Sequence, residues 1–336
     1  MKKIPVGIIG VGGYTGLELL KLLLTHPYFE VVFLGNTQGQ SKASHLYPSL
    51  LNVLEQEVQI SEASDIASKC ELVFLALPHK SAMEFAQKLL EFQVRVIDLS
   101  ADYRLSLENY ERSYTQHLDP KNLSHAIYGL PEYNEDLIKN ATLIANPGCY
   151  PTATLLALLP FAPYLAEQSV FVDAKSGVSG AGKTPTPNTH YCTINENLFA
   201  YSPLQHRHQI EMEEKLSFFG QRKLNIHFVP HLCPVTRGML VSIYARLHQE
   251  IDPLEVLQTH YAHKPFVRIR TQPVEIKNVS GTHFCDIFAK RSGLDLWINS
   301  GIDNLLRGAS SQAIYNANLM FNLPHDCGIP KIAYVP

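Results

Sequence analysis

The chain has 336 residues, 46% hydrophobic and 18% charged, with a formal net charge of −3. That length exceeds most single cores and predicts two domains; the composition excludes a disordered or membrane-embedded chain, and scattered Lys and Arg without basic runs exclude nucleic acid and acidic membranes as electrostatic partners. Six well-separated cysteines with no CxxC pair exclude a disulfide scaffold and a zinc site and point to a reducing cytoplasm.

In chain order, "KKIPVGIIGVGGYTG" sets two lysines before an apolar run. Pro5 and the glycines interrupt that run and no small-residue cleavage site follows, so it reads as a first strand and not as a signal segment. No stretch reaches the roughly 20 apolar residues that span a bilayer. "PVGIIGV" predicts a short buried strand, "GLELLKLLLTHP" a helix ended by Pro27, and "FEVVFLG" a second strand. "ELVFLALP" and "RVIDLS" are further short apolar strands, with helical period in "KSAMEFAQKLLEF" between them. This alternation predicts an α/β domain with a doubly wound parallel sheet, Rossmann-like in type.

From Cys149 the pattern changes. "SVFVDAKS", "KLNIHFVPHLCPV" and "GMLVSIYARL" are longer strands with fewer helices between them, which predicts a second, α+β domain with a largely antiparallel sheet. Within it "HQEIDPLEVLQTHYAH" predicts a helix with Asp252 as N-cap and Pro253 at the first helical position. "IDNLLRGASSQAIYNANLMFNL" predicts a long helix before a Pro-rich tail. No internal repeat or Gly/Ser linker separates the halves, so the domains are expected to share a close interface.

The glycines of "GIIGVGGYTGLELL" stand where a strand turns into a helix. Gly10 permits the tight turn, Gly13 admits a pyrophosphate to the backbone, and Gly16 lets the helix pack closely. The helix N-terminus adds amide donors and partial positive charge. The second strand ends "VVFLGNTQGQSK", without the acidic residue that binds a ribose 2′-hydroxyl, which favours NADP over NAD. Asn36, Thr37 and Lys42 are placed to meet a 2′-phosphate and are equally suited to a solvated loop.

"NPGCYPTATLLALLP" sets Cys149 after a Pro-Gly turn, at the front of an apolar helix. A helix N-terminus stabilises a thiolate and its amides can hold an oxyanion; the alternative is a small packing residue. Beside a nicotinamide site, a thioester on such a cysteine would accept a hydride. "QHRHQIEME" supplies His206, His208 and Glu211, with His208 and Glu211 on one helical face at i, i+3, suited to an oriented acid/base imidazole or to a solvated polar face. No third ligand at suitable spacing makes a metal site. "DAKSGVSGAGK" is a second Gly/Ser-rich loop, able to bind an anion or a nicotinamide through backbone amides or to serve as a plain hairpin. Arg104 in "DLSADYR" and Arg237 in "VTRG" can each clamp a phosphate or carboxylate or form a structural ion pair.

Taken together, "GVGGYTGLEL", "FLALPHKSAM", "VIDLSADYRL", "YGLPEYN", "NPGCYPTA", "DAKSGVSGAGK", "HRHQIE", "PHLCPVTRGML" and "IDNLLRGASSQAIYNANLMF" resemble the N-acetyl-gamma-glutamyl-phosphate reductase family, related to aspartate-semialdehyde dehydrogenase. The match runs from Gly7 to Phe321. The resemblance implies an NADP-binding Rossmann domain over 1–148, a catalytic and oligomerisation domain over 149–303, and a C-terminal helix and tail over 304–336 returning to the first. It implies Cys149 as nucleophile and His206 or His208 as acid/base, with Glu211 orienting His208. Cofactor contacts would come from Gly10, Gly13, Tyr14, Thr15, Gly16, Thr37, Pro78, Ser176, Gly177, Gly180 and Asn304, and substrate contacts from Arg104 and Arg237.

The implied reaction is NADPH-dependent reduction of N-acetyl-L-glutamyl 5-phosphate to the 5-semialdehyde with release of phosphate, in arginine synthesis. The implied assembly is a homodimer or homotetramer, with the exposed sheet of the second domain as the interface. The chain departs from the family at Gly35–Asn36, where members often carry Ser-Arg, and at His283, where asparagine is common. The competing readings are another acyl-phosphate reductase, such as one acting on aspartyl phosphate, and a non-catalytic NADP sensor.

Overall fold

A computed structural model describes residues 2–39 and 41–334. The chain forms two compact units, one running to Pro147 and including Ala309–Ile329, the other Gly148–Gly308 with the described residues from Pro330 onward.

The first unit is built on eight strands: β1 (Ile4–Ile9), β2 (Phe29–Asn36), β3 (Ser41–Lys42), β4 (Glu57–Ile60), β5 (Leu72–Leu75), β6 (Arg95–Asp98), β7 (Ile127–Tyr128) and β8 (Leu143–Ala145). Their order is β3-β4-β2-β1-β5-β6-β8-β7. Every pair is parallel except β3–β4. The four residues of β5, Leu-Val-Phe-Leu, are all buried, the near-continuous apolar run of a parallel strand covered on both faces. β1 lies between β2 and β5, so the chain winds away from it in both directions. Its carboxyl end is therefore a topological switch point, where open α/β sheets bind ligands. The helix Tyr14–Leu24 leaves from that point and buries Leu19, Leu20 and Leu23.

The helix Ser311–Met320 is buried along all 10 residues and belongs to this unit, with Gln312 Nε2 and Asn316 Nδ2 both donating to Gly129 O. The expected long C-terminal helix is thus divided. Leu306–Ser310 forms a π turn ahead of it, closed where Gly308 N–H donates to Asp303 O at 2.9 Å. The cause is Asp303, whose Oδ1 accepts the Leu305 and Leu306 N–H groups, a side-chain competitor for the amides a regular helix would begin with. From Pro330 the chain lies in the second unit, where His283 N–H donates to Pro330 O.

The second unit has seven strands, β9 (Ser169–Gly177), β10 (Phe199–Ala200), β11 (Asn225–Cys233), β12 (Met239–Arg246), β13 (Val267–Ile269), β14 (Cys285–Ser292) and β15 (Asp295–Ile302), in the order β10-β11-β9-β12-β15-β14-β13. The sheet is largely antiparallel, with two exceptions. β9 and β11 pair in parallel over nine residues, and β13 pairs in parallel with β14. A parallel pair needs a long crossover, and the segment between β9 and β11 supplies it, including the helix His208–Gly220.

On the inner face Val170, Val172, Ala174, Ile226, Phe228, Val241, Ile243 and Ile298 are buried. The helix Cys149–Leu158 packs there on β12 and β15. Asp252 caps the helix Pro253–His260 through the Leu254 and Glu255 N–H groups, with Pro253 first, as the sequence predicts. No helix among the described residues is long and apolar enough to cross a membrane.

Candidate active site

The glycine turn of the first unit is shaped to admit a dinucleotide. Gly10 has φ +93°, and a Cβ there would stand 2.2 Å from Ala76 O; a Cβ on Gly16 would stand 2.3 Å from Gly10 O. These two positions require glycine for the backbone itself. Gly12 faces open space and Gly13 meets nothing nearer than 3.7 Å, leaving room against the backbone where a pyrophosphate would lie. The helix beginning at Tyr14 carries no acidic residue in its first turn, so its positive end faces no fixed negative charge there.

Two side chains absent from the sequence reading brace this turn. Tyr47 Oη donates to Val11 O at 3.0 Å and to Gly13 O at 3.2 Å, with burial pushing its pKa up to about 12. Ser310 Oγ donates to Thr15 O at 3.0 Å. Thr37 and Pro78 are exposed, and Tyr14 is partly so. Asn36 is committed to the turn, its Oδ1 accepting the Gln38 and Gly39 N–H groups, and Lys42 lies 3.7 Å from Glu55.

In the second unit Cys149 is the first residue of its helix, after Gly148 as N-cap. Of residues 143–162 it alone is not buried. The helix behind it, "YPTATLLAL", is buried all round, so a hydrophobic rod fixes the position of one accessible thiol. A Cβ on Gly308 would fall 2.6 Å from Cys149 Cβ; the π turn therefore passes directly against the cysteine, and only glycine permits it.

The two histidines gather around Tyr150. The His206 and His208 rings lie 4.8 Å apart, and 5.6 and 5.9 Å from the Tyr150 ring. His206 Nδ1 accepts the His208 N–H, which leaves the ring proton of neutral His206 on Nε2. Burial, aided by neighbouring Arg207, lowers the His206 pKa to about 4. Tyr150 Oη and Tyr201 Oη share a hydrogen bond of 3.0 Å, and burial raises both phenol pKa values, with the Cys149 sulfur adding to each. Glu211 is 1% exposed, and its Oε1 accepts the Gly148 N–H at 2.9 Å. It thus reaches the residue before the cysteine. Sequence spacing pointed to Glu211 but not to Tyr150 or Tyr201, whose signal is only an aromatic beside the cysteine and another in the loop before the histidines.

Other expected contacts are distributed differently. Gly177, Val178 and Ser179 N–H groups donate to Gly238, Val235 and Thr236 carbonyls, so these amides of the second glycine loop are spent on a neighbouring turn and are not available to an anion. Asn304 joins the same two segments, accepting from Gly238 N–H at 2.7 Å and donating to Ser179 Oγ at 3.1 Å. Ser176 is buried and donates to Gly177 O; Gly180 packs near it.

Arg237 forms a two-point pair with Asp303, Nε at 2.8 Å and Nη2 at 3.1 Å. Arg104, in the first unit, donates from Nε to Asn146 O and from Nη2 to Leu99 O. His283 is fully buried, held neutral by burial and by adjacent Arg307, whose Nη1 lies 2.6 Å from its Nε2. It therefore acts inside the unit as the support of the π turn. Among the described residues no group of three or more His, Cys, Asp or Glu side chains is arranged to hold a metal ion.

Residues 5–141 match the family described as semialdehyde dehydrogenase, NAD binding domain, and residues 149–304 that described as semialdehyde dehydrogenase, dimerisation domain. An N-acetyl-gamma-glutamyl-phosphate reductase of Wolinella succinogenes is 61% identical over 337 residues, covering 100% of both chains. This chain belongs to the N-acetyl-gamma-glutamyl-phosphate reductase family. A Sulfurovum sp. reductase of the same name is 54% identical over 99% of this chain and 100% of its own. Aspartate semialdehyde dehydrogenase II of Vibrio cholerae shares the fold, with a TM-score of 0.72 at 16% identity over 96% of this chain and 99% of that one. As a member of this reductase family the protein is an oxidoreductase of the semialdehyde dehydrogenase type, with a Rossmann-like domain for a nicotinamide dinucleotide.

Proposed function

We propose that the protein reduces N-acetyl-L-glutamyl 5-phosphate to N-acetyl-L-glutamate 5-semialdehyde with NADPH, releasing phosphate, as a cytoplasmic step of arginine synthesis. The observation that carries this reading is the partly exposed Cys149 at the front of a buried helix, with two histidines packed against the ring of Tyr150, the next residue. The names of the relatives support the substrate.

His208 takes the proton of the Cys149 thiol, and the sulfur attacks the acyl-phosphate carbonyl carbon. The bond from that carbon to the phosphate oxygen breaks, the departing phosphate receives the proton from His208, and a thioester remains on Cys149. Gly10, Gly13 and Gly16 would hold the nicotinamide dinucleotide, which would supply the hydride needed to reduce the thioester carbonyl. The C–S bond then breaks, the aldehyde forms and Cys149 leaves as thiolate, which takes up a proton. His208 is preferred over His206 because burial lowers the His206 pKa to about 4, away from the neutral range in which a general base works best. Arg237, oriented by Asp303, is assigned to the substrate carboxylate.

NADP is preferred because the second strand ends in Gly35 and Asn36 with no carboxylate. The protein is assigned as a homodimer through the outer face of the second sheet, where Phe171 and Tyr244 are 58% and 52% exposed; adjoining large apolar side chains on a surface mark association. Tyr244→Arg should then shift the chain to monomer in sedimentation, and an unchanged mass would remove that assignment.

The deciding experiment runs the reaction backwards. N-acetylglutamate semialdehyde, phosphate and NADP are expected to give phosphate-dependent formation of NADPH, faster than with NAD and absent in Cys149→Ala. Turnover with aspartate semialdehyde instead would keep the chemistry and reject the substrate. Substantial turnover by Cys149→Ala would reject the thioester.

A further inference from the structure

Within the first unit, the turn that faces the glycine turn carries a residue in an unusual conformation. β1 and β5 are adjacent parallel strands, with Ile9 opposite Leu75, but β1 leads to β2 on one side and β5 to β6 on the other. Right-handed crossovers in opposite directions put the two following helices on opposite faces of the sheet. The turns that start them therefore form the two lips of the crevice at the switch point. They touch at their roots, where a Cβ on Gly10 would stand 2.2 Å from Ala76 O. Gly13 is the N-cap on one lip, ahead of Tyr14–Leu24, and Lys80 is the N-cap on the other, ahead of Ser81–Glu91.

Lys80 has φ 73° and ψ −48°, close to the centre of the rare and strained form of γ-turn. Glycine suits such a backbone, whereas a side chain there costs stability. The conformation is imposed from the turn after β6. The Lys80 N–H donates to Asp102 Oδ2 at 2.9 Å, and His79 Nδ1 accepts the Ala101 N–H at 3.1 Å. Asp102 is fully buried and is itself fixed at three further points. Its Oδ1 accepts Tyr110 Oη at 2.7 Å, its N–H donates to Ser100 Oγ at 3.1 Å, and its carbonyl accepts His117 Nε2 at 2.7 Å. A buried carboxylate thus holds an exposed lysine in a backbone conformation that lysine disfavours. Among the described residues the Lys80 ammonium forms no ion pair.

The cofactor's charge gives that lysine a use. A pyrophosphate is a dianion, and the glycine turn offers it only backbone amides and the end of a helix. Lys42 and Arg104, from the segments after β2 and β6, are already engaged: Lys42 lies 3.7 Å from Glu55, and Arg104 donates to Asn146 O and Leu99 O. We propose that Lys80 contacts the pyrophosphate of the nicotinamide dinucleotide from the lip opposite the glycine turn, and that Asp102 and His79 are positioning residues that hold it there. The inference rests on the glycine turn being the dinucleotide site, and it gives that site a cationic side chain.

The test is equilibrium binding, followed by the fluorescence of NADPH and of NADH, for the intact protein and for Lys80→Met, Lys80→Arg, Lys80→Gly, Asp102→Ala and the Asp102→Ala/Lys80→Met pair. Loss of one charge-assisted contact to phosphate should weaken both cofactors by about 10-fold in Lys80→Met, and equally, because both carry the pyrophosphate. Lys80→Arg keeps the charge and should stay within about threefold. Added KCl should weaken NADPH binding more steeply in the intact protein than in Lys80→Met. Lys80→Gly should bind as weakly as Lys80→Met yet raise the thermal midpoint by about 2–4 °C, because the strain is released. Asp102→Ala should lose affinity as well, and adding Lys80→Met to it should cost little more, since the carboxylate acts through the lysine. Unchanged affinity in Lys80→Met overturns the inference, and a loss confined to NADPH overturns it by moving Lys80 to the 2′-phosphate. Should Asp102→Ala fail to fold by near-UV circular dichroism, the three Lys80 variants decide. An intact protein that binds neither cofactor would instead strike the dinucleotide reading of the glycine turn, a distinct result.

Discussion

The dinucleotide turn and the cysteine turn solve the same problem, presentation of reactive chemistry at a strand-to-helix junction, with opposite materials. The turn after β1 works by leaving side chains out: Gly10 and Gly16 let backbone meet backbone, and Gly12 and Gly13 leave space. The turn after β8 works by putting side chains in. Arg104, Glu211, Asn316 and Thr152 each hold an atom of the three residues before Cys149. A ligand of fixed shape needs a vacant surface, whereas a nucleophile needs one direction, and direction takes several anchors.

The largest expected effect breaks the cysteine side of this comparison. Cys149→Ala should lower reductase turnover by about 1,000-fold or more, the scale on which loss of a covalent nucleophile acts, while fluorescence titration with NADPH still reports binding. Loss of both together would mean that the two turns are not separable functions.

The next test sharpens the glycine side. Gly10→Ala places a Cβ against Ala76 O in a backbone region that disfavours side chains, and should cost about 2–3 kcal/mol in urea unfolding. Gly12→Ala has no such clash. It should leave stability within about 0.5 kcal/mol and act instead on the KM for NADP. Equal stability losses in the two variants would refute the division between structural and ligand-facing glycines.

This contrast also explains what was legible in the sequence. Glycines at a strand-to-helix turn, the Asp252–Pro253 helix start and the Pro-Gly-Cys junction are local patterns, decided by residues within a few positions of one another. The parallel pairing of β9 with β11 was not legible, because strand length and composition carry no direction. Nor was the π turn, which depends on Asp303 seizing two amides. Arg104 and Arg237 were both visible as cations, but their partners, Asn146 O and Asp303, lie far away in sequence. Their roles are tertiary facts. Tyr201 was hidden for the same reason.

A smaller effect concerns acid. His26, His206 and His283 all have pKa values lowered by burial. The folded state therefore binds fewer protons than the unfolded chain below the ordinary histidine value near 6.5, so these groups favour folding above that pH and cease to do so as pH falls through their lower folded values. Thermal midpoints should drop from pH 7 towards pH 4. His206→Asn should shallow the slope between about 6.5 and 4; an unaltered slope would mean that His206 is not held neutral. Asp98 acts in the opposite sense. Burial, with the Asp102 carboxylate beside it, raises its pKa to about 7, so its contribution is complete in acid and is lost as pH rises towards 7. Asp98→Asn should therefore gain relative stability at the alkaline end.

The smallest expected effect tests whether the cysteine turn extends as far as the tyrosine pair. Tyr201→Phe removes one hydroxyl from the 3.0 Å contact with Tyr150. Tyr150 is 2% exposed, so its hydroxyl cannot turn to bulk water, yet it keeps the Ser176 hydroxyl as a partner. The loss should therefore stay near the net value of one hydrogen bond, about 1 kcal/mol, and not reach the larger cost of an orphaned buried group. Because Cys149 acts electrostatically on both phenols, removing one should also move the pH dependence of Cys149 alkylation by iodoacetamide. A stability loss with no change in that profile would confine the pair to packing, and the side-chain-built half of the comparison would end at the anchors of Asn146 and Gly148.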